Sequence, residues 1–146
     1  LGLVWIAIAV VLCALYRRWG ILLLTIVAVA VADWSATGIK ALVNRDRPPV
    51  RYPEPKALVS VPHDHSFPSG HAATSFAGAT MLAFAFPRLA SAFFVLAAAI
   101  AFSRVYVGVH YPLDVIAGAA LGVLVATALR LLVRGRLRLR LETRAG

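Results

Sequence analysis

Apolar residues run along this chain in five blocks separated by polar connections. The blocks cover Leu1 to Tyr16, Ile21 to Val43, His71 to Phe86, Leu89 to Ser103 and Leu113 to Val133. A helix needs about 20 residues to cross the hydrocarbon core of a bilayer, within a range of about 17–25. The second and fifth blocks qualify outright. The third and fourth are short as bounded and gain length by borrowing Ser69-Gly70 and Arg104 to Val107, which sets polar groups at a membrane face. The first begins at Leu1 with no initiator Met, so the expectation is a trimmed chain with an upstream helix missing. A cleaved signal peptide fits it poorly, because no basic region precedes the run and no small-residue cleavage site follows it.

Composition agrees. Of 146 residues, 61% are hydrophobic and 14% charged, against about 45–50% and about 25% in soluble domains. The pattern predicts an all-α integral membrane helical bundle with five spans, forming a single domain over residues 1–146, and excludes disorder, coiled coil and a disulfide scaffold. The single cysteine, Cys13, has no partner for an internal disulfide. A net charge of +9 would suggest nucleic acid in a soluble protein. In a membrane protein it reflects Lys and Arg collected on the cytoplasmic side, and no nucleic-acid partner is expected.

The connections alternate in character. Arg17-Arg18, Pro87-Arg88 and the tail from Arg134 to Gly146 are short and basic, whereas Asn44 to Pro68 is long, rich in proline and histidine, and carries both signs of charge. With the basic connections cytoplasmic, the five spans thread consistently, and Asn44 to Pro68 shares the outer face with Arg104 to Pro112. Nine of the 15 basic residues then lie inside, while Lys40, Arg45, Arg47, Arg51, Lys56 and Arg104 lie outside against the rule.

Three of those outer cations, Lys40, Arg47 and Arg104, flank apolar blocks and come with Ser69, Gly70, His71, His110 and Asp114. Cations at membrane depth cost about 2.5–3.5 kcal/mol each on insertion scales unless something satisfies them. A bound phosphate is the natural counter-ion: Arg offers planar forks, Lys a point charge, and a helix start unpaired N–H groups. Pro68-Ser69-Gly70-His71 reads as such a start, with Ser69 as N-cap and Gly70 allowing close approach of an anion. Two histidines beside a phosphate pocket suggest phosphoryl transfer through a phosphohistidine. His110 has Asp114 four residues on, in the first turn of a helix opened by Pro112. The carboxylate reaches back to one ring nitrogen and leaves the other free to attack. His71 has no nearby carboxylate in sequence, which suits an acid that protonates the leaving group.

Lys40 with Arg47-Pro48, then Pro68-Ser69-Gly70-His71, then Ser103-Arg104 with His110 and Asp114 resemble the three-part motif of the type 2 phosphatidic acid phosphatase superfamily, complete and in order over residues 40 to 114. The resemblance implies a six-helix membrane phosphatase, one more than the five spans visible here. It implies no metal and no cofactor, His110 as nucleophile oriented by Asp114, and His71 as general acid. Lys40, Arg47, Ser69, Gly70 and Arg104 would hold the phosphate. The expected substrate is a lipid phosphate or polyprenyl (di)phosphate, taken by its headgroup at the outer leaflet of a bacterial plasma membrane while the tail stays in the bilayer. The rivals are an anion transporter, which has no use for a His-Asp pair, and a vanadate-dependent peroxidase, whose known members in the superfamily are soluble.

Other residues draw plainer expectations. His63, Asp64, His65 and His71 make no closed ligand set, so a solvated loop with one functional member is preferred to a metal site. Asp33, Thr37 and Lys40 share one helix face, read for Asp33 as a polar seam toward the bundle interior. Arg45, Arg51 and Lys56 read as solvated loop charge. Arg134 to Leu141 alternates Arg with Leu, as a short strand or an interfacial segment would, and serves as a cytoplasmic topology anchor in the tail 134–146. Trp5, Trp19, Trp34 and Tyr16 are interfacial or packing residues. Gly118 and Gly122 suit close packing within the monomer and dimerisation equally, which leaves the oligomeric state open.

Overall fold

The computed structural model describes residues 2–52, 54 and 56–145, with side chains described as far as Arg134. Its backbone is helical: α1 Leu3–Tyr16, α2 Trp19–Val43, a single turn α3 Pro48–Arg51, α4 Gly70–Ala85, α5 Ala90–Tyr106 after a 3-10 turn at Pro87–Leu89, and α6 Pro112–Ala145. No strand occurs among the described residues. The five long helices follow the five apolar blocks within a few residues, with the expected extensions at Gly70 and Tyr106, except that α6 continues past Val133 to Ala145; Leu1, where the first block began, lies outside the described residues.

Helix ends follow local chemistry. Arg17 and Asn44 close α1 and α2 in the left-handed region, at φ 53° and 49°, and the Asn44 N–H bonds back to the Lys40 carbonyl at 3.0 Å. Ser69 caps α4, its hydroxyl accepting from the Ala72 N–H at 3.4 Å. Prolines open α3 and α6, where a missing N–H costs nothing.

The bundle is built around α4, which packs on α1, α2, α5 and α6. This helix has 16 residues, about 24 Å at 1.5 Å per residue, and the lipid-facing role falls to its neighbours. Three stretches, Trp19–Arg51, Pro87–Tyr106 and Pro112–Arg134, are long and apolar enough to cross a membrane, and Leu3–Tyr16 is a shorter apolar helix. Residue size is sorted inside out relative to a soluble protein. Ala28, Ala32, Ala36, Ala73, Ala77 and Ala126 fill the interface of α2, α4 and α6 with Met81, while Leu23, Val31, Val95, Phe102, Ile116 and Leu124 point outward. Helices in lipid gain little by hiding Leu from an equally apolar solvent, so they associate through small residues that let backbones approach.

Gly118 and Gly122 show how close that approach is. A Cβ at Gly118 would lie 2.4 Å from the Ser69 carbonyl oxygen, and one at Gly122 would lie 2.2 Å from that of Ala73. The Gly-x-x-x-Gly of α6 is thus used inside the monomer, against α4. Gly78 plays the same part for Trp5, whose Cγ would sit 2.6 Å from an added Cβ. Trp5 is fully buried against Phe93 at 6.5 Å between centroids, whereas Tyr16, Trp19 and Trp34 are exposed.

Two expectations change. The buried face of α2 is Thr25, Ala28, Val29, Ala32, Ala36 and Lys40. Asp33 lies to one side and Thr37 is exposed, its hydroxyl donating to the Asp33 carbonyl at 2.9 Å, so no Asp33–Thr37 seam faces the interior. A Thr hydroxyl in a helix bonds its own preceding turn and needs no interior partner. The Arg-Leu alternation after Arg134 is not a strand, because the α6 backbone runs on as helix to Ala145; the side chains of Arg136, Arg138 and Arg140 lie outside the described residues.

Gly122→Ala should lower stability by about 1–3 kcal/mol, the usual cost of an added methylene in a packed core, because the clash is with backbone rather than a movable side chain. Thermal unfolding of purified variants in detergent checks this. Gly38→Ala, where an added Cβ meets nothing within 4 Å, should be neutral or stabilising.

Candidate active site

One end of the bundle gathers the C-terminus of α2, the N-terminus of α4, the C-terminus of α5 and the start of α6. Lys40, Arg47, Gly70, His71, Arg104 and His110 line a cavity of about 150 Å³ there, walled further by Val59, Ser60, Pro62, Asp64 and Val109. A void of that size admits a group as large as benzene, and a phosphoryl group is smaller. Of the eight residues singled out for this pocket, six line it. Ser69 lies just behind, fully buried and occupied as the cap of α4. Asp114 is also fully buried, behind His110.

Asp114 is held by a set of donors from three segments. Oδ1 accepts from Arg45 Nη1 at 2.8 Å. Oδ2 accepts from the Ser66 hydroxyl at 2.8 Å and the Tyr111 N–H at 2.9 Å, and lies 3.5 Å from His110 Nδ1. The Asp114 carbonyl in turn accepts from the Ser69 N–H at 2.9 Å, joining α6 to the start of α4. Arg45 therefore is not the solvated loop charge expected of it. It stacks on the Tyr111 ring at 4.2 Å and neutralises a buried carboxylate. No local spacing signals this pairing, because the partners are 69 residues apart.

The His110 tautomer follows from its neighbours. Arg47 Nη1 lies 3.2 Å from His110 Nε2. A guanidinium only donates, so Nε2 must carry a lone pair, and the ring proton then sits on Nδ1, which faces Asp114 and has no other partner. An imidazole in that state presents an unprotonated nitrogen to the cavity. The loop carrying it is set by α5: the N–H groups of Val109 and His110 both donate to the Arg104 carbonyl, at 3.2 and 3.3 Å. Gly108 makes the turn possible at φ 77°, a region costly for residues with a Cβ.

Arg47 is almost wholly buried and ties three segments together. Besides His110, Nη1 donates to the Val109 carbonyl at 2.9 Å. Nε donates to the Asp64 carbonyl at 2.8 Å, and Nη2 to Asp64 Oδ1 at 2.6 Å. Lys40 Nζ meets the other carboxylate oxygen, Asp64 Oδ2, at 2.5 Å. Arg104 lines the cavity with its Nε on the Ser103 hydroxyl at 3.1 Å. His71, in the first turn of α4, has no carboxylate in contact among the described residues.

Asp64 was grouped by sequence with His63 and His65 as loop, yet its carboxylate spans the two cations that the motif gives to phosphate. Burial by itself would raise its pKa; the hydrogen bonds and charges of Lys40 and Arg47 outweigh that and hold it at about 2. The one clue in the sequence was the surplus of cations over acids on this face. His63 and His65 line an adjoining outer cleft with Arg45 and Asp46.

Residues 19–138 match the PAP2 superfamily, and the chain belongs to it. It is an integral membrane protein of that family. It is 35% identical over 125 residues to undecaprenyl-diphosphatase of Sulfolobus acidocaldarius, covering 82% of this chain and 58% of that one. It is 39% identical over 110 residues to decaprenylphosphoryl-5-phosphoribose phosphatase of Mycobacterium tuberculosis, covering 75% and 60%. The chain thus spans about three-fifths of the length of these curated relatives. The crystal structure of a transmembrane PAP2 type phosphatidylglycerolphosphate phosphatase from Bacillus subtilis superposes with a TM-score of 0.65 at 26% identity, over 89% of this chain and 67% of that one.

An anion held by Lys40 and Arg47 would have to compete with the Asp64 carboxylate, so Asp64→Asn should tighten inhibition by inorganic phosphate. The side chain is 55% exposed, so the gain should be that of a screened pair, about two- to fivefold in Ki. With a carboxyl pKa of about 2, Asp64 is charged throughout the ordinary assay range, and the effect should be flat across neutral pH.

Proposed function

We propose that this protein is a membrane phosphatase that removes a phosphoryl group from a lipid phosphate or polyprenyl (di)phosphate through a phosphohistidine. The observation that carries this is the His110 arrangement: Nε2 at the cavity beside Arg47, and Nδ1 toward buried Asp114. Lys40, Arg47 and Arg104 would hold the non-bridging oxygens with the N–H groups at the start of α4, Asp64 being displaced as phosphate enters. Nε2 attacks phosphorus and forms the P–N bond as the P–O bond to the lipid breaks. The bound phosphate offsets the charges of Arg104 and Lys40 beside His71, so the ring takes up a proton as substrate enters and gives it to the departing oxygen. Water then attacks the phosphohistidine, losing a proton to His71, and P–N cleavage returns His110 with its lone pair and releases phosphate.

Electrostatics supports the sequence of steps. Charge on a phosphoryl group grows at the oxygens during transfer, and preorganised cations in a water-poor site stabilise it without reorganisation. The cations would suit a transported anion equally well. The His110–Asp114 pair has no role in transport and a specific one in nucleophilic catalysis.

Substrate class follows from placement and relatives. The cavity lies at the end of helices whose outer faces are apolar, so a headgroup can enter while a hydrocarbon tail remains in lipid. Two curated relatives act, by name, on undecaprenyl diphosphate and decaprenylphosphoryl-5-phosphoribose. These support a polyprenyl carrier over a soluble phosphate. The basic residues Arg17, Arg18 and Arg88 at the opposite end support a cytoplasmic location for that end, with the active site on the extracytoplasmic face of a bacterial plasma membrane.

Because side chains already offset the phosphate charge, activity should survive EDTA, and vanadate, which adopts the geometry of phosphorus under attack, should inhibit more tightly than phosphate. Loss of activity with EDTA and recovery with zinc or magnesium would refute the metal-free route.

The two histidines should separate by leaving group. His110→Ala should be inactive on every substrate and form no phosphoenzyme. His71→Ala should lose about 10²–10⁴-fold on a lipid phosphate and regain much of that on an activated aryl phosphate, whose oxygen departs without a proton. Asp114→Asn should fall between. Rescue of the His110 variant in place of the His71 variant would reverse the roles.

A further inference from the structure

The end of the bundle opposite the catalytic pocket holds a second cavity, of about 260 Å³, where the start of α2 meets the last turn of α4 and the middle of α6 around Arg130 to Arg134. From Gly70 to Phe84 along α4 the two sites are roughly 20 Å apart at 1.5 Å per residue. Arg18, Arg130 and Arg134 line it, and Leu24, Met81 and Val133 form its apolar walls.

The arginines are arranged rather than merely abundant. The guanidinium carbon of Arg130 sits over the Phe84 ring, 4.1 Å from its centroid. Contact with a ring face holds a guanidinium in place while leaving N–H groups for a ligand. Arg18 Nη1 donates to the Ala85 carbonyl at 2.7 Å, at the end of α4, and holds the fork at the cavity rim. Arg134 stands one turn beyond Arg130 on the same helix, where like charges disfavour each other. Among the described residues no carboxylate bridges any of the three. A topology signal needs only positive charge on one side of the membrane. It needs neither convergence on a cavity nor a guanidinium held on a ring.

We propose that this cavity binds the phosphate of an anionic phospholipid, separately from catalysis. Three cations at the edge of apolar helices match a phosphodiester whose acyl chains continue along the hydrocarbon, and the apolar walls favour a lipid over free phosphate. Basic pockets between spanning helices take such headgroups for the same reason. The site does not depend on the phosphatase chemistry, and its test reads binding.

The experiment uses the full chain in phosphatidylcholine nanodiscs with increasing phosphatidylglycerol, following the unfolding midpoint. The wild type should rise and saturate. Arg134→Gln should need about fivefold more phosphatidylglycerol for the same shift, the factor expected for one arginine near an anionic headgroup. Arg130→Gln should do likewise, and Arg134→Gln keeps the test sound if loss of the Phe84 contact impairs folding. Arg88→Gln, exposed on the 3-10 turn at the same end and outside the cavity, should behave as wild type. Equal curves for wild type and Arg134→Gln would overturn the site, as would a loss in Arg88→Gln as large as in Arg134→Gln, which marks diffuse surface charge. A wild-type shift of the same size from inorganic phosphate in pure phosphatidylcholine, lost in Arg134→Gln, would overturn the lipid and leave a free-phosphate site.

Discussion

A carboxylate with no access to water organises this end of the protein. An ionised Asp buried without partners costs several kcal/mol, so the fold around Asp114 is constrained to bring donors to it. They come from the α2–α3 connection in Arg45, from the segment before α4 in Ser66, and from the turn before α6 in the Tyr111 N–H. The backbone of Asp114 holds the Ser69 N–H as well. Together these bonds place the loop of His110 against the helix start that carries His71. The geometry of the candidate site is thus secured by satisfying one charge.

The same region is crowded with cations, and they are balanced internally. Lys40 and Arg47 share the carboxylate of Asp64, which offers two oxygens where a phosphate would offer more. In the proposed reaction, exchange of one anion for another would keep buried Arg47 paired before and after substrate arrives, at the cost of some affinity. The Asp64 side chain is the exposed partner, so it is the one that would leave.

Beneath the site, α4 and α6 approach closely enough that two glycines of α6 meet backbone oxygens of α4. That approach positions the two histidines, because His71 lies one residue into α4 and His110 two residues ahead of α6. A bundle assembled through Ala and Gly with Leu and Val outside is stable in lipid for reasons of packing, and its rigidity there is what a site built from four helix ends requires.

Much of this was legible along the chain because it is local. Apolar blocks long enough to cross a bilayer force helices, since lipid offers no other partner for the backbone, and they ended close to where Ser69, Pro112 and Asn44 said they would. The motif residues Lys40, Arg47, Gly70, His71, Arg104 and His110 could be read as one pocket because chemistry left cations and histidines no other common purpose. What tertiary structure alone decided were pairings across many residues. Arg45 found Asp114, Ser66 found the same carboxylate, Asp64 found Lys40 and Arg47, and Gly118 and Gly122 chose α4 rather than a second copy. Spacing along a helix or turn reports only neighbours a few residues apart. Which distant charge fills a buried vacancy depends on where the backbones cross, and that is set by the packing of small residues whose individual signals are weak.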